Sequence, residues 1–271
     1  MLIDAHAHLD RYDDLLSVLA EIAQHRIFTL SNSMDLPSYE RNLEIGAQCA
    51  LVWPSFGVHP WNAPEYADRL DDLGAAMAQS PLLGEIGLDH HFVEDTAQYP
   101  AQRQVCEFFL AAAREQDKIV NLHTKGAEEE ILHLLRQYDL PRAIVHWYSG
   151  PLDVFRQLVA RGVYFTVGVE ALYSTHIQTI ARELPREQLL TETDNPGGPR
   201  GLIGKPGRPL LIKDVVQGLA ALRQTSAEDI EQTVQVNFLR LIGDDPRLAA
   251  MRGRLAEHLR SGMTTNQRSE Q

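Results

Sequence analysis

Met1-Leu2-Ile3-Asp4-Ala5-His6-Ala7-His8-Leu9-Asp10 opens the chain and reads as a buried strand carrying an H-x-H pair. Side chains at i and i+2 of a strand share one face. His6 and His8 therefore present two imidazoles side by side, at a spacing that suits one metal ion. Taken alone, the pair fits two hydrogen-bonded core histidines equally well. Recurrence favours the metal, because later strand-like segments also end in metal-binding side chains.

Outward from this stretch, short apolar runs alternate with longer amphipathic ones. The strand-like runs are Ile27–Ser31, Leu51–Val58, Leu82–Leu88, Lys118–His123, Ala143–Tyr148, Val163–Gly168 and Leu189–Asp194. Helical patterns lie over Leu15–Gln24, Ser38–Gln48 (with Ser38 as N-cap), Ala63–Gln79, Pro100–Gln116, Ala127–Tyr138, Leu152–Arg161 and His176–Glu183. Three more follow the last strand, at Leu210–Leu222, Ala227–Leu241 and Pro246–Leu259. The strands are apolar on both faces, as buried parallel strands should be. Eight strand-helix repeats without a linker predict one (β/α)₈ barrel. The domain is expected to cover residues 1–262, with 263–271 as a polar tail and fraying from Ser261 onward.

The 271 residues suit such a barrel, and the 44% hydrophobic content is that of a globular chain. No apolar run is long enough to span a membrane, no secretory leader is visible, and two cysteines do not make a disulfide scaffold. A cytoplasmic location is expected. The formal net charge of −12 repels phosphate backbones. It weighs against coating DNA, and leaves brief handling of a strand end to local cations.

Barrel active sites form at the C-terminal ends of the strands. His6, His8, His59, Glu85, His123, His146 and Asp194 fall there. His25, His90, His91, His133, His176 and His258 fall in helices or loops and read as solvated or capping residues. Imidazole and carboxylate ligands suit Zn²⁺ or Mn²⁺, and Mg²⁺ less well. Glu85 is the natural bridge between two divalent ions. One ion would take His6, His8, Glu85 and Asp194, the other Glu85, His123 and His146. Gly84 and Gly87 beside Glu85 leave room for a close approach. Two ions about 4 Å apart can clamp a phosphodiester, with Asp194 as general base toward water. His59 and Lys125 are expected on phosphate, Trp147 or Tyr148 against a base. Arg200, Lys205 and Arg208, in the loop 195–209, would guide the strand.

The motifs Ile3–Leu9, Gly57-Val58-His59-Pro60, Gly84–Asp89, Leu122-His123, Val145–Gly150, Glu192–Pro196 and Asn237–Leu241 together resemble the TatD family of metal-dependent nucleases, within the amidohydrolase-like barrel superfamily. The resemblance covers about residues 1 to 242. It implies a metal-dependent deoxyribonuclease, often a 3′→5′ exonuclease on single-stranded DNA, with RNA as another substrate, and it implies the same two-metal assignment. Two departures bear on substrate choice. Thr124-Lys125 stands where the family usually has Ser-Arg, and Gly207-Arg208-Pro209 where it often has Asn-Glu-Pro. Lysine keeps the charge of arginine but loses its two-pronged grip on phosphate. The wording of Val145–Gly150 and Leu190–Asp194 also resembles a TatD-like branch encoded in bacterial anti-phage operons, which implies defence-complex partners.

Two other readings compete. A small-molecule amidohydrolase, cleaving a C–N or ester bond, shares the H-x-H barrel but commonly bridges its metals with a modified lysine where this chain has Glu85. A non-catalytic subunit on a retired nuclease scaffold would have lost ligands, and every expected ligand is present.

Overall fold

The structure is a computed structural model that describes residues 1–266, with side chains to Glu257. Its eight strands are β1 (Leu2–Ala7), β2 (Ile27–Asn32), β3 (Val52–Ser55), β4 (Leu82–Gly87), β5 (Ile119–His123), β6 (Ala143–Val145), β7 (Tyr164–Val167) and β8 (Leu189–Thr191). All neighbours pair in parallel, β1-β2-β3 in one sheet and β4 through β8 in the other. Two seams close the cylinder. At one, Phe56 bridges to Leu83, and Gly84 N–H donates to Phe56 O at 2.7 Å. At the other, Asp194 N–H donates to His6 O at 2.9 Å and Thr191 Oγ1 to Ile3 O at 2.6 Å. The result is the expected (β/α)₈ barrel, with every residue of seven strands buried and the helices outside.

Two irregularities in the ladders matter for the site. The β1–β2 register slips between Asp4 and Ala7, and the β4–β5 register between Leu83 and Ile86. These slips bracket His6 and Glu85. Bulged or slipped strands re-aim side chains, and they gather beside active sites.

The helical patterns hold with local corrections. The second helix starts at Leu36, not Ser38: Asp35 is the N-cap, accepting from Ser38 N–H at 2.8 Å, while Ser38 Oγ accepts from Asp35 N–H at 2.9 Å. Ser38 is thus the N3 member of a capping box. The segment expected as one helix over 63–79 is broken. It holds a short helix at Ala63–Tyr66, a 3₁₀ stretch with non-helical backbone at Arg69, and a second helix at Gly74–Gln79. The last helix runs from Ala249 to Asn266, past the fraying expected from Ser261; of the predicted tail, residues 267–271 lie outside the described residues. Helix Ala227–Ile242 packs under the closing seam. Its Asn237 side chain donates to Arg186 O at 2.6 Å and Leu189 O at 2.8 Å, holding the entry to β8. Among the described residues, no helix is long and apolar enough to cross a membrane.

Candidate metal centre

Strand ends carry the centre. His6 lies on β1 and His8 just past it, and their Nε2 atoms stand 3.3 Å apart, as the i/i+2 reading of the first strand requires. Glu85 projects from β4 and is 2% exposed. Its two oxygens face different partners. Oε2 lies 3.3 Å from His6 Nε2 and 3.1 Å from His8 Nε2. Oε1 lies 2.8 Å from both His123 Nδ1 and His146 Nε2, and 3.3 Å from His59 Nε2. Asp194 Oδ1 completes the first set, 3.3 Å from His8 Nε2 and 3.8 Å from His6 Nε2. The His6 and His146 rings stack at 3.8 Å, joining the two sets.

Three tight groups of ligand atoms result: His6, His8 and Asp194; His6, Glu85 and His146; and His59, Glu85 and His123. The structure thus brings together all six residues read from the sequence as ligands. It also places His59, expected only on phosphate, against Glu85 and His123.

His6, His8 and His123 are held from behind by hydrogen bonds, as metal-binding histidines are, whereas His146 faces a carboxylate without one. His6 Nδ1 meets Asn121 Oδ1 at 3.1 Å, and His8 Nδ1 meets Asn32 O at 2.9 Å. His146 Nδ1 faces Glu192 Oε2 at 3.5 Å, while Glu192 accepts from Trp147 N–H and Thr166 Oγ1–H. His123 Nε2 lies 3.0 Å from Asp89 Oδ2. Asp89 is fully buried; its Oδ1 accepts from the His91 and Phe92 N–H groups, its Oδ2 from Trp61 Nε1–H at 2.7 Å, and Gln102 clamps its backbone. The supporting roles of Asp89, Asn121 and Glu192 escaped the reading of single residues. The Gly84–Asp89 and Glu192–Pro196 motifs contained two of them, and both Asn121 and Glu192 carried a spacing signal, each two residues before a candidate ligand, His123 and Asp194.

Close packing fixes this arrangement. A side chain at Gly87, whose φ is +143°, would strike the His123 carbonyl. A Cβ at Gly84 would come within 2.6 Å of the Asn121 Cβ. Trp147 and Asp194 adopt left-handed φ values of 38° and 50°. For non-glycine residues such conformations carry strain and cluster at functional sites.

Burial opposes the charge on Glu85, yet the surrounding imidazoles, His59, His146 and His6 foremost, hold its carboxyl well below the usual range. Burial also opposes ionisation of Asp194, and His8 and His6 outweigh it. Desolvation depresses His59 to about 4. His146 suffers the same desolvation, but Glu85 and Glu192 lift it to about 10. Deeper still, Asp4 sits in the seam, accepting from Thr193 N–H at 2.9 Å and Thr193 Oγ1–H at 2.5 Å, and burial pushes it up to about 8. A buried carboxylate at Glu85 and a partly buried one at Asp194, both held ionised, require positive compensation. Among the described residues, no lysine or arginine pairs with Glu85 or Asp194. Facing imidazole nitrogens at 3.2–3.3 Å, with carboxylate oxygens between, form a donor set that fits divalent cations.

The sequence profile of TatD related DNases matches residues 3–243. The chain belongs to the TatD family. Like its TatD relatives, it is a metal-dependent hydrolase. It is 29% identical to the uncharacterized metal-dependent hydrolase YcfH of Escherichia coli, over 93% of this chain and 99% of the relative. It is 26% identical to the 3′-5′ ssDNA/RNA exonuclease TatD of Citrobacter koseri, over 86% and 93%. The solved structure of the TatD homologue YjjV from Escherichia coli superposes with a TM-score of 0.81 at 27% identity, covering 89% of this chain and 97% of that one.

The centre opens into a cavity of about 990 Å³. Trp147 and Lys125 line it. Lys125 Nζ, however, donates to Trp147 O and Ser149 Oγ, both at 2.7 Å, and so braces the loop after β6. Trp147 is half-buried, with its indole N–H donated to Glu170. Tyr148, the other expected stacking residue, belongs to the core: it packs on Phe155 and Phe165 and donates to Pro151 O. Of the loop cations only Arg200 lines the cavity, joined there by Arg11. Arg208 is instead engaged by Glu21 and Ser17. His91 and His176, expected to be plain loop or helix residues, also line the cavity.

Proposed function

We propose that this TatD-family hydrolase is a two-metal deoxyribonuclease that removes nucleotides from the 3′ end of single-stranded DNA, with RNA as a second substrate. One observation carries the reading: the two oxygens of Glu85 address two separate nitrogen sets. A single bridging carboxylate is what a two-ion phosphodiester clamp requires. His6, His8 and Asp194 would hold one ion, His123 and His146 the other, with Glu85 common to both; Zn²⁺, Mn²⁺ and Mg²⁺ all suit oxygen and nitrogen donors to different degrees. When bound, such ions neutralise phosphodiester charge and acidify water.

The chain's own groups supply the rest. Asp194, held ionised at the cavity wall, takes the proton of the attacking water. Arg11 and Arg200 meet the phosphates, which an acidic surface would otherwise repel. Lys125 has one N–H left for phosphate while it holds the Trp147 loop. A glutamate at the bridging position, in place of a modified lysine, favours phosphodiester chemistry over amide or lactone hydrolysis.

The test is hydrolysis of a 5′-labelled single-stranded oligonucleotide with and without added divalent metal, by wild type and Glu85→Ala. A ladder shortening from the 3′ end, dependent on metal and lost in the variant, is expected. Equal rates for the two proteins would refute the proposal.

A further inference from the structure

Six large hydrophobic residues are well exposed among the described residues, and three of them, Trp61, Phe92 and Leu202, line the one cavity above the metal centre. Trp61 is 44% exposed and Phe92 59%, and their rings meet at 83° with centroids 6.2 Å apart. The indole is not loose. Its N–H donates to Asp89 Oδ2, and its ring sits edgewise against His59 at 4.7 Å. The Phe92 backbone is anchored through its N–H, which donates to Asp89 Oδ1 at 2.7 Å. Asp89 Oδ2 also holds His123, so one carboxylate ties this aromatic pair to the metal centre. A rigid, half-exposed tryptophan with its polar atom already satisfied offers a site only its π surface.

We infer that Trp61 and Phe92 form a stacking subsite for one unpaired nucleobase, and that Asp89 sets its position relative to the phosphodiester. The inference rests on the nucleic-acid reading of the centre. The barrel order supports a division of labour at the rim. Trp61 and Phe92 follow β3 and β4, whereas Arg11 and Arg200 follow β1 and β8. The aromatic pair therefore occupies a sector of the mouth apart from the two arginines. Stacking on a ring face needs a base free of its partner strand, which selects single-stranded ends and tolerates any base. Trp147 is less suited, since it is more buried and Lys125 Nζ stands 5.7 Å from its ring centroid.

The experiment compares a 12-nucleotide single-stranded DNA with the same strand carrying one abasic residue, placed in turn at each of the last three positions. Trp61→Ala and Phe92→Ala should each raise KM on the complete strand about 10- to 100-fold, the scale of one base stack. The wild type should lose as much on one of the abasic strands, and on that strand the variants should add less than about threefold. Unchanged KM, or equal losses on both strands, overturns the inference and leaves the nuclease reading intact. If the wild type cleaves neither strand, fluorescence anisotropy with the labelled 12-mer decides. Binding weakened by Trp61→Ala keeps the subsite and removes the nuclease reading, whereas no binding, or binding indifferent to the variant, overturns both.

Discussion

Replacing Asp89 by asparagine should separate the support of the metal centre from its ligands. The carboxylate accepts four hydrogen bonds, two on each oxygen: from the His91 and Phe92 backbone, and from His123 and Trp61. Burial opposes its charge, yet these donors, His123 first, hold it below the usual carboxylate range. Asparagine keeps one oxygen and presents an N–H₂ group in place of the other. If the amide oxygen stays on the backbone N–H pair, the His123 and Trp61 N–H groups face a donor. His123 then loses the bond that fixes its tautomer and aims Nδ1 at Glu85. Loss of such a partner typically costs 10- to 100-fold in metal affinity, roughly 1.4–2.7 kcal/mol. Competition titration of Zn²⁺ against a chromogenic chelator, on wild type and Asp89→Asn, measures it directly. Affinity within a factor of two of wild type, in a variant that remains folded, would refute the argument that Asp89 orients His123.

Chelation should lower thermal stability, because the clustered carboxylates lose their compensation. Metal at about 100 times its Kd stabilises by roughly 2.7 kcal/mol, so a Tm drop of roughly 5–10 °C in excess EDTA is expected by calorimetry. Asn237→Ala should cost about 1–3 kcal/mol, since the buried Leu189 carbonyl and the partly buried Arg186 carbonyl at the entry to β8 lose their donor; denaturant unfolding monitored by circular dichroism checks it. Asp245 is held at about 2, below its ordinary 3.8, first by its bonds from Arg247 and also by Arg142. A depressed carboxylate stabilises above its unfolded pKa and ceases to do so as pH falls through the folded one. Asp245→Asn should therefore cost about 1 kcal/mol at neutral pH, after allowance for solvent around the paired arginines, and the difference from wild type should shrink between about pH 4 and pH 2. A Tm difference that stays constant over that range would contradict this.

The division between what the chain announces and what folding adds follows from the range of the interactions. Strand and helix succession is written locally, in β-branched runs and amphipathic periods, and so the barrel and the order of the six candidate ligands at its rim were legible along the chain. Local patterns also located Glu85, because only a strand end flanked by glycines could carry it so deep. They failed where a particular side-chain contact overrides a general residue preference. Asp35 displaced Ser38 as the cap once its side chain met the Ser38 N–H, and Tyr148 entered the core because Phe155 and Phe165 sit beside it in space.

By itself, then, the sequence determined the fold and the identity of the groups at its rim, since hydrophobic period and strand-end placement depend on neighbours a few residues apart. The closed barrel alone decided how those groups meet: that each oxygen of Glu85 serves a different histidine set, that His59 joins one of them, and that Asp89 holds both His123 and Trp61. These relations join residues tens of positions apart, and no period in the chain encodes a distance that only the curvature of the sheet creates.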